Sequence, residues 1–190
     1  MMRGKLIALA IACALPLLNG CAPLVVVGAG TGMSLINDRR ATATVWTDQQ
    51  IELRTVDKIH NKFGTATHVN VTSFNKTVLL TGEAPDEATR AEVEKMAQTT
   101  PDVKKVFNEV VVAPASGVAA RSSDTALTAK VKTGMFEAGK FSPVHVKVVT
   151  ERSVVYLLGL VKQQEGRDAA EIASKTAGVS RVETFYEYID

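Results

Sequence analysis

The chain has 190 residues, of which 46% are apolar and 22% are charged, an ordinary composition for a globular protein. It contains 22 basic and 20 acidic side chains. The small positive excess comes from Arg3 and Lys5, and without these two residues 20 bases face 20 acids. A chain this close to neutrality has no global positive field for nucleic acid, so any electrostatic recognition must be local.

The first twenty residues are typical of a secretory signal. Arg3 and Lys5 precede an apolar run over 6–18, which is shorter than the roughly 20 residues that a transmembrane helix needs. The run ends in LNGC at 18–21, which resembles the lipobox of bacterial lipoproteins. We therefore predict a signal over 1–20 and acylation of Cys21. The alternative is an ordinary secretory signal that happens to contain a cysteine.

Processing at the lipobox would remove Cys13 and modify Cys21. The mature chain would then have no free thiol, no disulfide and no thiolate metal site. More than one acyl chain gives stable anchoring, at about 0.8 kcal/mol for each buried methylene. Ala22 follows the cysteine where an aspartate would be expected for inner-membrane retention. By resemblance to enteric lipoproteins, this implies the periplasmic face of the outer membrane.

Residues 21–47 are predicted to form an acylated, flexible tether. The stretch LVVVGAGTG at 24–32 has three glycines, as dinucleotide-binding loops do. Such a loop requires a following helix inside a βαβ unit and an acidic residue about 20 positions later, and the sequence shows neither. The apolar part is also too short to span a membrane. A coil of this length reaches about 30 Å, enough for the folded part to touch the anchoring membrane.

The rest of the chain contains an internal repeat with a spacing of 76–77 residues. VNVTSFNKTVLLTGEA at 69–84 matches VKVVTERSVVYLLGLV at 146–161, and TPDVKKVFNEVVV at 100–112 matches AGVSRVETFYEYI at 177–189. The repeat predicts one domain over 48–113 and a second over 124–190. The intervening segment, 114–123, is rich in small residues and is expected to be a mobile linker.

Each copy is predicted to have the order α-β-β-α-β within about 65 residues. The first helices are expected over 48–62 and 124–138, and a pair of alternating strands follows each, joined by polar turns at Asn75-Lys76 and near Glu151-Arg152. A second helix follows Pro85 in copy one and covers 163–176 in copy two. The last strands are expected over 103–112 and 179–189. The predicted fold class is α+β, with two helices packed on a small, mixed, three-stranded sheet in each copy.

The pattern of these copies resembles the BON domain family. The resemblance rests on VxVxxxxxxVxLxG in both copies and on Val103, Val106, Asn108 and Val110 at the end of copy one. NDRR at 37–40 also fits the family, whereas Thr184 replaces the asparagine in copy two. The resemblance implies phospholipid binding and maintenance of the envelope, and no catalysis.

No signature of catalysis or of a metal site is present. His60, His68 and His145 form neither HxxxH nor HExxH, so no metal site is predicted. GxSxG is also absent, which disfavours a nucleophilic hydrolase. The sequence therefore predicts a protein that is not an enzyme and has no cofactor.

A lipid-binding surface is predicted on the first helix of copy two. Leu127, Val131, Met135 and Ala138 share one stripe of that helix and are expected to face the core. Phe136 lies about 100° from Met135, and His60 occupies its position in copy one. A large apolar residue among lysines suits the boundary between acyl chains and anionic headgroups. The predicted lipid-binding residues are Lys130, Lys132, Met135, Phe136 and Lys140. Packing of Phe136 on the other copy is the alternative.

The leading hypothesis is a non-enzymatic outer-membrane lipoprotein that binds phosphatidylglycerol or cardiolipin through its second domain. By family resemblance it would help maintain the outer membrane, with enrichment at the division site. The second hypothesis is an adaptor that binds outer-membrane assembly proteins, such as the barrel-assembly machinery, without recognising lipid. A peptidoglycan-binding module is a third hypothesis, but no aromatic or acidic groove signature supports it.

Overall fold

The computed structural model describes residues 38–190. The predicted signal, Cys21 and the tether as far as residue 37 lie outside the described residues. The helices of the described part are α1 (Thr42–Phe63), α2 (Glu87–Gln98), α3 (Val118–Ala138) and α4 (Gln163–Lys175). The strands are β1 (His68–Phe74), β2 (Thr77–Ala84), β3 (Lys105–Asn108), β4 (Val111–Val112), β5 (Val146–Glu151), β6 (Val154–Val161) and β7 (Arg181–Tyr188). None of these helices is long and apolar enough to cross a membrane.

The predicted α-β-β-α-β order and α+β class are confirmed in both copies. In each domain the first two strands form an antiparallel hairpin, and the last strand pairs in parallel with the second. The helices cover one face of each sheet. Val78 and Leu80 contact Ile51 and Val93 in the first domain, and Val155 and Leu157 occupy the equivalent core in the second.

The other faces of the two sheets pack against each other. Leu79 of β2 belongs to an apolar cluster with Tyr156 and Leu158 of β6. The rings of Phe107 and Phe185 approach to 4.3 Å between centroids. The protein is therefore a four-layer sandwich with helices outside and two sheets inside. This explains why every residue of β2 is buried, because helices cover one face of the strand and the second domain covers the other.

The last strand of the first domain differs from the prediction of one continuous element. β3 and β4 are separated at Glu109 and Val110, although both pair with β2. Val110 donates its backbone N–H to the side chain of Asn108. Within β2, Gly82 has a φ of 110°, and a side chain there would clash with the carbonyl oxygen of His68. Copy two has Thr184 at the asparagine position, and there β7 runs unbroken along β6.

Both first helices begin earlier than predicted. α1 starts at Thr42 and α3 at Val118, so residues 42–47 of the predicted tether and 118–123 of the predicted linker are helical. Asp48 and Asp124 resemble helix starts because aspartate is common at N-caps. In the structure each lies inside its helix and accepts hydrogen bonds from the hairpin turn that follows.

These turn contacts are the same in both domains. The turns are Asn75-Lys76 and Arg152-Ser153, the second one residue later than predicted, and all four residues have positive φ, as type I′ turns require. Asp48 accepts the backbone N–H groups of Asn75 and Lys76 at 2.8 and 2.7 Å. Asp124 accepts those of Arg152 and Ser153, both at 2.9 Å. Each carboxylate thus holds a helix against its hairpin.

The residues before α1 are also ordered. Arg40 forms an ion pair with Asp48 at 2.9 Å and lies 4.0 Å above the ring centroid of Phe74. Arg39 forms two hydrogen bonds with Glu165 of α4 and donates to the carbonyl of Leu160. Arg39 and Arg40 therefore join the start of the first domain to the second domain, and residues 38–41 are part of the folded body.

We predict that Asp124→Ala lowers the free energy of unfolding by about 2 kcal/mol, because two charge-assisted hydrogen bonds are lost. Asp48→Ala should cost more, about 4 kcal/mol, since Asp48 also accepts from Ser73 and Arg40. Urea unfolding of both variants measures these differences. Asp57→Ala, on the exposed side of α1, is the control and should change stability by less than about 0.5 kcal/mol. Equal effects in Asp124→Ala and Asp57→Ala would contradict this role.

The Arg39–Glu165 contact predicts a pH dependence. Hydrogen bonds from Arg39 lower the pKa of Glu165 to about 2 from an ordinary value of 4.5. A lowered carboxyl pKa stabilises the fold above pH 4.5, and this contribution is lost as the pH falls toward 2. Arg39→Ala should therefore have a lower melting temperature than the wild type at pH 7. The difference between the two melting temperatures should become smaller below pH 4.5. A difference that stays constant down to pH 3 would exclude the ion pair as its cause.

Candidate membrane-contact site

The candidate site lies on α3, the first helix of the second domain. Asp124, Leu127, Val131 and Met135 are buried along one side, at spacings of three and four residues, so they form one helical stripe. Gly139 ends the helix in the left-handed conformation, with a φ of 60°. The opposite side of α3 faces solvent.

This solvent side contains a line of exposed residues that we call the outer face of α3. Phe136 is 76% exposed and Val118 is 79% exposed. They are 18 residues apart, which is five helical turns, so they lie on the same line about 27 Å apart. Thr125, Ala129 and Lys132 lie near that line and are also exposed. The predicted exposure of Phe136 is therefore confirmed, and the residue does not pack on the other domain.

The predicted lysines differ in how they relate to this face. Lys132 is exposed and lies about 40° from Phe136 around the helix. Its pKa is lowered, mainly by desolvation and also by the positive charge of Lys147. Lys147, on the exposed side of β5, was missed because its link to α3 depends on tertiary packing. Lys147 therefore lies near Lys132, and it also interacts with the carboxylate of Glu52 on α1, which offsets part of its charge.

Lys130 and Lys140 contribute less than predicted. Lys130 is exposed but lies about 120° from Phe136, away from the outer face. Lys140 lies about 40° from Phe136 in helical projection, but its ammonium pairs with Asp168 of α4 at 2.8 Å. The hydrogen bond to Asp168 raises the pKa of Lys140, and the carboxylate offsets its charge. Within residues 38–190, Lys132 is therefore the predicted lysine that lies beside Phe136 in helical projection and has no ion pair with a carboxylate.

The prediction that Met135 contacts lipid is wrong. Its side chain has no exposed area and belongs to the core cluster of the second domain with Val131, Val148 and Leu157. The helical position of Met135 places it about 100° from Phe136, which turns one side chain inward and its neighbour outward. Met135 therefore packs in the core of the second domain, on the side of α3 that is turned away from solvent.

The predicted contrast between the first helices also requires correction. His60 is exposed on α1 at the position of Phe136, as the repeat predicts. However, α1 begins early enough to include Trp46, which is 61% exposed, and Leu53 is equally exposed one heptad later. Both first helices therefore present apolar residues to solvent. They differ in charge, because Asp57 lies near the Trp46–Leu53 line whereas Lys132 lies near Phe136.

Comparisons with known proteins agree with the repeat. A model of the BON domain family matches residues 47–114 and 123–186. The chain is 33% identical over 175 residues to the outer membrane lipoprotein DolP of Haemophilus influenzae, covering 91% of each chain. It is 27% identical over 154 residues to a 21 kDa hemolysin of Actinobacillus pleuropneumoniae, covering 80% of this chain and 79% of that protein. Identity to osmotically-inducible protein Y of Escherichia coli is 32% over 120 residues, covering 62% of this chain and 60% of that protein.

We predict that two adjacent truncations on α3 differ greatly in their effect on stability. Met135→Ala should lower the free energy of unfolding by about 2–5 kcal/mol, because it leaves a cavity in the core. Phe136→Ala should change it by less than about 0.5 kcal/mol, because the ring is exposed. Urea unfolding distinguishes them. A loss above about 2 kcal/mol in Phe136→Ala would mean that the ring is packed in solution.

Proposed function

This chain belongs to the BON domain family, with two copies of the domain, and from this premise we propose that it is a non-enzymatic outer-membrane lipoprotein. In this proposal Cys21 is acylated, and the second domain binds anionic phospholipid through the outer face of α3. The observation that supports it most is the exposure of Phe136 beside Lys132 on a solvent-facing helix. The LNGC segment and the similarity to a protein described as an outer membrane lipoprotein support the anchor and the location.

The chemistry of the outer face suits shallow insertion into a leaflet. A helix lying in the interface buries its apolar residues at the acyl boundary and keeps its cations among the headgroups. Full burial of a phenylalanine contributes about 1.5–3 kcal/mol, and each lysine near an anionic surface about 1 kcal/mol. Phe136, Lys132 and Lys147 together would give weak binding for a free domain. Acylation of Cys21 would hold the domain near the membrane at roughly millimolar effective concentration, where weak binding is sufficient.

By family resemblance, the biological role in this proposal is maintenance of outer-membrane integrity, with enrichment at the division site. Phosphatidylglycerol and cardiolipin are the proposed lipids, because both are anionic.

A second candidate function is supported by a different surface. Trp46 and Leu53 form an exposed apolar line on α1 that has no lysine beside it. Tryptophan is enriched at the energetic centres of protein interfaces. In this alternative the protein is an adaptor that docks through α1 on outer-membrane assembly proteins, and the acylated cysteine only provides location.

We predict that Phe136→Glu weakens binding to phosphatidylglycerol vesicles at least tenfold, because it replaces the apolar contact with an anion. The protein used in this test is produced without residues 1–20 and with Cys21→Ser, so that it has no acyl anchor and the measurement gives the affinity of the folded domains alone. Lys132→Gln should weaken binding about fivefold, the equivalent of about 1 kcal/mol. Binding should also decrease from low to high salt. Co-sedimentation with anionic and with phosphatidylcholine vesicles provides the measurement.

His60→Glu is the matched control, because it introduces the same charge at the equivalent position of the first domain. Trp46→Ala separates the two candidate functions, since it should leave vesicle binding unchanged if α3 makes the contact. Equal losses in Phe136→Glu and His60→Glu would exclude the α3 site. Salt-independent binding would exclude the lysine contribution. Absence of vesicle binding by the wild type would favour the adaptor.

A further inference from the structure

Three side chains with metal-ligating atoms meet where the edges of the two sheets approach. His68 begins β1 and Glu83 lies near the end of β2, while Glu151 ends β5 of the second domain. One nitrogen of His68 and one oxygen of each carboxylate all lie within 4.8 Å of one another. The two glutamates are 1% and 5% exposed. The sheet-to-sheet packing thus brings two buried carboxylates from different domains together beside an imidazole.

The two carboxylates of this cluster have different hydrogen-bond partners. Glu83 accepts from His68 at 3.0 Å, from the backbone of Ser116 at 3.1 Å and from Arg152 at 3.4 Å. Burial opposes ionisation of Glu83, but these hydrogen bonds outweigh it and lower its pKa. Glu151 accepts from the neutral amide of Asn70 at 2.7 Å, and burial raises its pKa. Arg152 is the one guanidinium among these partners, and it contacts Glu83 and not Glu151.

Ligands and water can reach the cluster from solvent. An open groove of about 560 Å³ lies between the domains and is lined by His68, Asn70 and Glu151, together with Val56 of α1 and Thr125 of α3. An ion that enters the groove meets the imidazole and the Glu151 carboxylate first. A water molecule from the groove can complete its coordination.

We propose that His68, Glu83 and Glu151 bind one divalent transition-metal ion of the zinc class, which bridges the two domains. Nitrogen and carboxylate oxygen are common zinc ligands, at about 2.0–2.2 Å from the metal. Calcium and magnesium prefer sites made of oxygen alone, so the imidazole disfavours them. Tetrahedral ligands at that bond length are about 3.4 Å apart. The ligand atoms here lie within 4.8 Å of one another, so the more distant pairs must close by up to about 1.4 Å. Zinc would also displace Arg152 from Glu83, because both cations use the same carboxylate.

Sequence spacing did not indicate this site because its ligands come from three different strands. No two are close enough in sequence to form a recognised zinc motif. The ion would connect β1 and β2 of the first domain to β5 of the second. Its binding would therefore stabilise the contact between domains, since a ligand that binds only the folded state raises its stability.

The test is a zinc titration of the full mature protein in detergent micelles, after removal of metals with a chelator. Zinc alone is the probe, followed by calorimetry, by metal analysis after gel filtration and by the melting temperature. The wild type should take up one zinc per chain at this site and melt at a higher temperature with zinc. Glu151→Gln, which keeps the size of the side chain, should weaken binding about 100-fold and remove the increase in melting temperature. His68→Gln should do the same.

Two further variants make the result specific. His60→Gln removes an exposed histidine of α1 and should bind zinc as the wild type does. Arg152→Ala removes the competing cation but keeps the backbone N–H that Asp124 accepts, so it should bind zinc more tightly. Circular dichroism confirms that each variant is folded. Absence of zinc uptake by the wild type would overturn the proposal, as would wild-type affinity in folded Glu151→Gln.

Discussion

The central strand of each sheet is covered on both faces, and this constraint determines where every other element lies. β2 and β6 each have helices on one side and the other domain on the opposite side. Domains of about 65 residues bury a limited fraction of their surface and are marginal alone. Packing two sheets together gives each small domain a second apolar interface. It also leaves the helices on the outside, where α1 and α3 are available for contacts.

Within each domain, an aspartate of the first helix connects the helix to the hairpin. The backbone N–H groups of a type I′ turn point in one direction, and the carboxylate of Asp48 or Asp124 accepts two of them. The same carboxylate does not cap its own helix, and α1 and α3 begin before it, at Thr42 and Val118. The helical residues before each aspartate include Trp46 and Val118, which are both exposed.

Much of the fold followed from the sequence because the repeat shows the same element pattern twice. Alternating valines identified the strands, and Phe136 was correctly placed outside the core stripe by helical geometry alone. Three features depended on tertiary contacts and were missed. The carboxylate of Asp168 pairs with Lys140, Lys147 approaches Lys132 from another element, and α1 and α3 begin before their aspartates, which contact the hairpin turns instead. The packing of the two sheets against each other could have been predicted from β6. This strand is apolar on both faces, so one face packs against helices and the other requires a second apolar surface. The residues on its two faces are Val155, Leu157 and Val161, and Tyr156, Leu158 and Leu160.

Polar contacts at the rim of the sheet-to-sheet interface have a different role from the apolar centre. Burying ionised groups rarely increases stability, and well-packed apolar residues are often as good or better. Apolar faces alone, however, do not specify the register of two sheets. Asn75 and Thr77 both donate to Glu187, and Asn70 donates to Glu151, so contacts from separate parts of β1, β2 and their turn engage the second domain. Because each contact requires its own geometry, together they favour one relative orientation, which keeps the outer face of α3 at a defined position relative to the first domain.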